Sequence, residues 1–276
     1  MHAAQLAWDS ATVIELGLKC VADIKICRYA SDALQHALEM ELYDHLARAF
    51  SRQANSIEAL KYYDIGAVVC ESARDFPRLG RTLCCKADAQ MSLHLYDAAK
   101  TTYTKVHKLG EEGGWFEIYA KACLGLSSVA RLEGDMAKAL ELSHESLTAT
   151  GLMEEGQYGK KRDSARAIIG ILKCSDMYAD DLDESLLDRL VVLGTEIDLD
   201  LREGGGSLVC VEAADFLAKR HMAKGRLAQG ANACNEVIRL ASEDRFRQTA
   251  YVQSLSDGAR QMLINLQMLN LVVRGE

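Results

Sequence analysis

With 276 residues, 49% of them hydrophobic and 26% charged, the chain has the ordinary make-up of a protein with a sizeable core. Its formal charge of −8 argues against nonspecific nucleic-acid binding, which needs concentrated Lys and Arg to displace counterions. A single proline, Pro77, abundant helix formers and the lack of alternating apolar and polar runs leave an all-α fold as the expectation.

In chain order, Met1–Asp9 has neither a basic flank nor a long apolar run, so no signal peptide is expected. Gly does not follow Met1, and no stretch approaches 18 uninterrupted apolar residues, so neither myristoylation nor membrane insertion is expected. Residues 14–39 read as an N-terminal partial repeat or cap, with helical spacing from Leu16 to Ala30. Three segments beginning at Ser56, Tyr96 and Met136 then align without a gap. Ala59, Ala99 and Ala139 fall in register at intervals of 40 residues, followed four places later by Tyr63, Tyr103 and Ser143. A fixed period of this size predicts stacked helical hairpins, here 40–79, 80–119 and 120–159.

The third repeat is the most regular. Phe116 to Leu132 carries Tyr119, Cys123, Leu126, Ser127 and Ala130 on one stripe. Gly134-Asp135 breaks that helix, and Met136 to Thr148 forms a second with Ala139, Leu140, Ser143 and Leu147 inward, closed by Gly151. Residues 160–210 read as a degenerate repeat, with helices over Ala165–Cys174 and Glu184–Gly194. The acidic link Asp180-Asp181-Leu182-Asp183 stretches its turn, and Asp183 is a candidate cap. A further unit, 211–247, carries Ala214, Ala218, Gly225, Gly230, Cys234 and Val237 at matching places. Residues 248–276 read as a capping helix, and the whole of 1–276 as one helical-repeat domain.

The pattern resembles the tetratricopeptide-repeat family, in the 40-residue form seen in rapsyn and Pins-type adaptors. It is carried by Tyr43, Ala47, Phe50 and Ala59, by Leu83, Ala87 and Ala99, and by Cys123, Ser127, Ala130, Gly134 and Ala139. In the second of these sets the turn is Leu93-His94-Leu95 in place of Gly-Asp. The resemblance implies a right-handed α-solenoid and protein-binding work. Rapsyn's cysteine-rich metal domain and acylated start have no counterpart in this sequence, so clustering at a membrane is not implied.

Evidence for catalysis, cofactor or metal is lacking in the sequence. The seven histidines include no pair at i and i+4, the spacing that brings two ligands to one ion on a helix. Cys84-Cys85 is the one adjacent cysteine pair, but neighbours on a helix point about 100° apart. In the repeat frame Cys84 faces the groove and Cys85 turns away. Nine cysteines without regular spacing do not make a disulfide framework and suit a reducing cytoplasm. Glu203-Gly204-Gly205-Gly206-Ser207 reads as a loop with Ser207 as cap, and Lys160-Lys161-Arg162 as a solvated helix start. Trp115 is expected to staple neighbouring repeats.

Function is therefore expected on the first helices of the repeats, where residues turned from the core line a groove. These are Glu41, Asp44, Arg48 and Ser51; Arg81, Cys84, Asp88 and Met91; Lys121, Leu124, Ser128 and Arg131; and Glu212, Asp215, Lys219 and Met222. Mixed charge with a few apolar anchors suits a segment of another protein. The Lys/Asn/Asn/Lys/Arg clamp by which family members hold chaperone tails is absent, its places holding Asp44, Arg48, Cys84, Asp88, Leu124 and Ser128. A noncatalytic adaptor, or a subunit of a larger complex, is the leading expectation. The alternatives are a peptide-responsive regulator, favoured by the acids Glu41, Asp44 and Asp88, and more remotely an α-helical enzyme.

Overall fold

A computed structural model of the chain describes residues 10–24, 31–154, 159–175, 183–199, 206–242 and 250–274. Among them lie twelve helices and no strand. They are α1 (Ser10–Ile24), α2 (Asp32–Arg52), α3 (Ser56–Ser72), α4 (Phe76–Ser92), α5 (Tyr96–Gly113), α6 (Phe116–Leu132), α7 (Met136–Gly151), α8 (Lys160–Cys174), α9 (Glu184–Leu199), α10 (Gly206–Ala223), α11 (Leu227–Ala241) and α12 (Ala250–Arg274). Contacts cluster into two compact units, Met1–Glu133 and Gly134–Glu276. Within each, every helix packs on the next in sequence, the stacked-hairpin arrangement of an α-solenoid.

What ends each helix from α2 to α6 recurs every 20 residues, half the period visible in the side chains. Ala54, Arg74, His94 and Gly114 all adopt positive φ, between 56° and 65°, and Gly134 follows at 84°. The residue after each of the first four donates its N–H back across the helix end: Asn55 to Phe50, Asp75 to Cys70, Leu95 to Gln90 and Trp115 to Gly110. That bond satisfies a carbonyl the helix leaves orphaned. The same residue is then the N-cap of the following helix. Asn55, Asp75 and Asp135 accept from the N–H three residues on, whereas Leu95 and Trp115 make no such side-chain bond. His94 thus takes the positive φ that Gly114 and Gly134 take, although its Cβ renders the left-handed backbone costlier.

The small residues in register pack as the period predicts. Ala47, Ala59, Ala87, Ala99 and Ala139 have no exposed surface, and Cys123, Ser127 and Ala130 are buried. In the first unit one apolar cluster joins Met40, Cys70, Leu79, Leu83, Cys84, Val106 and Ile118, with Trp115 packed against it from the turn before α6. Burying such side chains supplies most of the free energy that holds one hairpin on the next.

The degraded register after residue 159 conceals an intact helix pair. Ile168, Ile169 and Leu172 of α8 pack on Leu187 and Leu190 of α9 and on Phe216 of α10. Asp183 Oδ1 accepts the Ser185 N–H at 2.9 Å and so caps α9. Hydrogen bonds from Ser185, its hydroxyl first and then this N–H, hold the Asp183 carboxyl below the ordinary aspartate range. The basic run is fixed in place: Lys160 donates to the Met153 carbonyl at 2.7 Å, Lys161 pairs with Glu196 at 3.1 Å, and Arg162 pairs with the buried Asp163 at 3.2 Å. Met1–Asp9, Cys27, Asp180–Leu182 and Glu203–Gly205 lie outside the described residues, as does the Ser207 side chain.

Candidate functional site: the α2–α4–α6 face

In the first unit α4 touches α6 directly, and ion pairs tie α2, α4 and α6 together. Arg78 of α4 donates to Glu41 of α2 at 2.5 Å, and His45 lies 3.6 Å from the other Glu41 oxygen. Farther along, Arg81 of α4 donates to Glu117 of α6 at 3.0 Å, and Lys121 reaches the same carboxylate at 2.6 Å. Glu117 is only 8% exposed. Burial alone would raise its pKa, but Lys121 and Arg81 outweigh that and hold it below the ordinary glutamate range.

Of the expected groove residues in this unit, Glu41, Arg48, Arg81 and Asp88 are exposed. Asp44, Met91, Lys121, Leu124, Ser128 and Arg131 are half-buried. Arg48 Nε donates to Asp44 at 2.9 Å, and Ser128 bonds its own helix at the Leu124 carbonyl. Cys84 corrects the expectation: it is 5% exposed, sunk in the apolar cluster between α4 and its neighbours. The cysteine set among the polar rows is Cys85. Its thiol is pushed up to about 11, first by burial and then by Asp88 and Asp44, with Arg48 and Lys121 opposing. Charged groups on α2, α4 and α6 thus lie near enough to Cys85 to bear on its ionisation.

Two tyrosines that fall in register with the 40-residue period, Tyr63 and Tyr103, also supply this face. Tyr63 of α3 packs with Cys85 and brings its hydroxyl to 3.5 Å from Ser51 Oγ. Tyr103 of α5 donates its hydroxyl to Asp88, while its ring occupies the space above Gly125 of α6. Burial raises the pKa of both phenols, reinforced by Cys85 for Tyr63 and by Asp88 for Tyr103, so both remain protonated donors. The small residues Cys85 and Gly125, forty places apart, admit the two rings. Sequence spacing marked the tyrosines as periodic without showing that their hydroxyls emerge beside charged groups.

The second unit departs further from expectation. Glu212 and Asp215 are buried, Glu212 accepting from Lys173 at 3.1 Å and Asp215 from the exposed Lys219 at 2.6 Å. Met222 packs against the core cluster of α10, α11 and α12, close above Gly230. Asp215 and Met222 therefore serve packing between helices, because the neighbouring elements cover the side of α10 that the repeat frame turned outward.

The fold resembles solved structures. BtubC (BKLC) from P. vanneervenii superimposes with a TM-score of 0.56 at 16% identity, over 87% of this chain and 91% of that one. The C-terminal part of a TPR repeat-containing protein from Cytophaga hutchinsonii matches at 14% identity, over 87% of this chain and 94% of that one, with a TM-score of 0.31. The first likeness is at the level of fold. No family model and no curated protein matches the sequence. Among the described residues no helix is long and apolar enough to cross a membrane.

Proposed function

We propose that the chain is a noncatalytic tetratricopeptide-like adaptor that holds a segment of another protein along the α2–α4–α6 face, in the cytoplasm, alone or within a larger assembly. The observation that carries this reading is the row of ion pairs that joins three successive first helices: Arg48 with Asp44 on α2, Arg78 of α4 with Glu41 of α2, and Arg81 of α4 and Lys121 of α6 with Glu117. Half-buried Met91 and Leu124 supply apolar anchors beside them. Ion pairs already formed across α2, α4 and α6 hold these groups in place before a ligand arrives, which lowers the ordering cost of binding. The regulator reading rested on free acids drawing a basic peptide. Glu41 and Asp44 each engage an arginine of this chain, which weakens that pull.

A photo-crosslinking residue at Leu124 tests the reading, with a second probe at Val68, exposed on α3. Adducts are expected from Leu124 and are expected to disappear in the Arg48→Glu, Lys121→Glu, Arg131→Glu variant, folded by circular dichroism. Adducts from Val68 alone would move the site to the other layer and defeat the proposal.

A further inference from the structure

α2 opens the row of first helices among the described residues, and its first turns present an apolar stripe. Ala33, Leu34, Ala37 and Leu38 are all exposed, Leu34 at 46% and Leu38 at 44%. Spacings of one, three and four keep the four on one face of the helix. The 40-residue register shows what covers this place farther along the chain. Arg78 of α4 corresponds to Leu38 and is half-buried, reaching back to Glu41 of α2. Ile118 of α6 corresponds too and is 1% exposed. It sits over Gly80 of α4, where a Cβ would lie 2.7 Å from its Cγ2. In each case the preceding first helix is the neighbour, and at the closer joint a large side chain lies over a small one. α1 packs farther along α2, where Ile24 joins Leu42 and Leu46.

We propose that a second copy of this chain covers the stripe, the two α2 helices lying antiparallel about a two-fold axis. The stripe is self-complementary. With the axis between Gln35 and His36, Leu34 lies over Ala37 of the second copy and Leu38 over its Ala33, and symmetry repeats both contacts. Each repeats the large-over-small packing of Ile118 on Gly80. Charge permits the approach. By the helical step of about 100° per residue, Asp32 and Glu39 fall on the far side of α2. Glu41, held by Arg78, would stand about 16 Å along the axis from its counterpart, beyond the screening length of about 8 Å at physiological salt. Antiparallel helices also set opposite dipole ends side by side. A contact of so few turns makes a weak dimer. Arg48, Lys121 and Arg131 take no part in it, so the pairing stands or falls apart from the groove reading.

Sedimentation equilibrium of the full chain over a wide concentration range tests this. A monomer–dimer equilibrium is expected, and Leu34→Ser, Leu38→Ser is expected to abolish it. Ala37→Leu adds apolar surface but sets leucine against leucine, and is expected to weaken the dimer about tenfold. The exchange Leu34→Ala, Ala37→Leu puts leucine back over alanine and is expected to restore it. These positions are exposed, so the melting temperature of each variant should stay close to that of the wild type. A chain that is monomeric at every concentration overturns the proposal and leaves the stripe to a helix of another protein. A dimer indifferent to Leu34→Ser, Leu38→Ser overturns it in favour of another surface. Association strengthened by Ala37→Leu, or not recovered by the exchange, overturns the pairing and marks the stripe as merely adhesive.

Discussion

The ring of Tyr103 fills the space that a side chain on Gly125 would need: a Cβ placed there would lie 2.3 Å from the tyrosine Cε1. Gly125→Ala must therefore displace the ring and with it the hydroxyl bond to Asp88. The expected loss is about 1–3 kcal/mol, in the range for overpacking a core. Gly258, within α12, has nothing within 4 Å of such a Cβ, and Gly258→Ala should gain about 0.5–1 kcal/mol from helix propensity. Opposite shifts of the urea midpoint check the pair, and equal shifts would show that approach of the ring does not require the glycine.

The turns offer stability that the sequence leaves unused. Arg74 holds a φ of 56°, where a side chain costs about 1 kcal/mol relative to glycine, so Arg74→Gly should raise the melting temperature. Leu95 occupies an N-cap place without a side-chain bond and is 47% exposed. Leu95→Asp should add about 1 kcal/mol by accepting an orphaned N–H, as Asp75 and Asp135 do. A melting temperature unchanged by either substitution would argue against these turn assignments.

Glu117 ties acid stability to the α4–α6 joint. Its folded pKa lies below the ordinary glutamate value because Lys121 and Arg81 outweigh burial. A depressed carboxylate pKa contributes stability that is present above the unfolded pKa and is lost as pH falls through the folded one. The wild type should therefore exceed Glu117→Gln in urea stability at neutral pH. The gap should narrow as pH drops below the ordinary glutamate range. A gap independent of pH would mean that packing, not charge, is what Glu117 contributes.

Cys85 should be a poor nucleophile despite its place among charged groups. With its pKa pushed up to about 11, it carries little thiolate at pH 8. Iodoacetamide should label the exposed Cys20 first and Cys85 slowly, with the Cys85 rate rising toward pH 11. Rapid labelling of Cys85 at pH 7 would contradict the burial that raises it.

The sequence carried the hairpins, since Ala59, Ala99 and Ala139 are spaced by the need for a small residue where helices approach. It did not carry the 20-residue turn. Ala54, Arg74 and His94 have nothing in common as side chains, and what they share is a backbone conformation set by the helices they join. The face was legible in part. Arg48, Asp88 and Lys121 could be placed by counting along a helix, but the same count put Cys84 on the face and Cys85 away from it, the reverse of what the structure shows. A rotation of about 100° separates a buried thiol from one beside charges, and neighbouring helices decide which is covered. Glu117 escaped notice because it lies in the first turn of α6, outside the counted rows, and only the structure brings Arg81 to it. In the second unit Asp215 and Met222 were read from helical position alone, while the packing of α10 against α11 and α12 determined their burial.

A shared backbone turn makes the joints between α2 and α6 interchangeable. Removing residues 76–115 would carry Ala73-Arg74-Asp75 directly into Phe116, which opens α6 as Phe76 opens α4. The splice would keep the turn, the cap and even the residue that follows. Removing only 56–75 would preserve the same backbone joint but reverse the running direction of α4, α5 and α6 relative to α2. Unequal recombination could therefore shorten or lengthen such a protein by whole pairs of helices with its seams intact, whereas an odd number would turn its inner face outward.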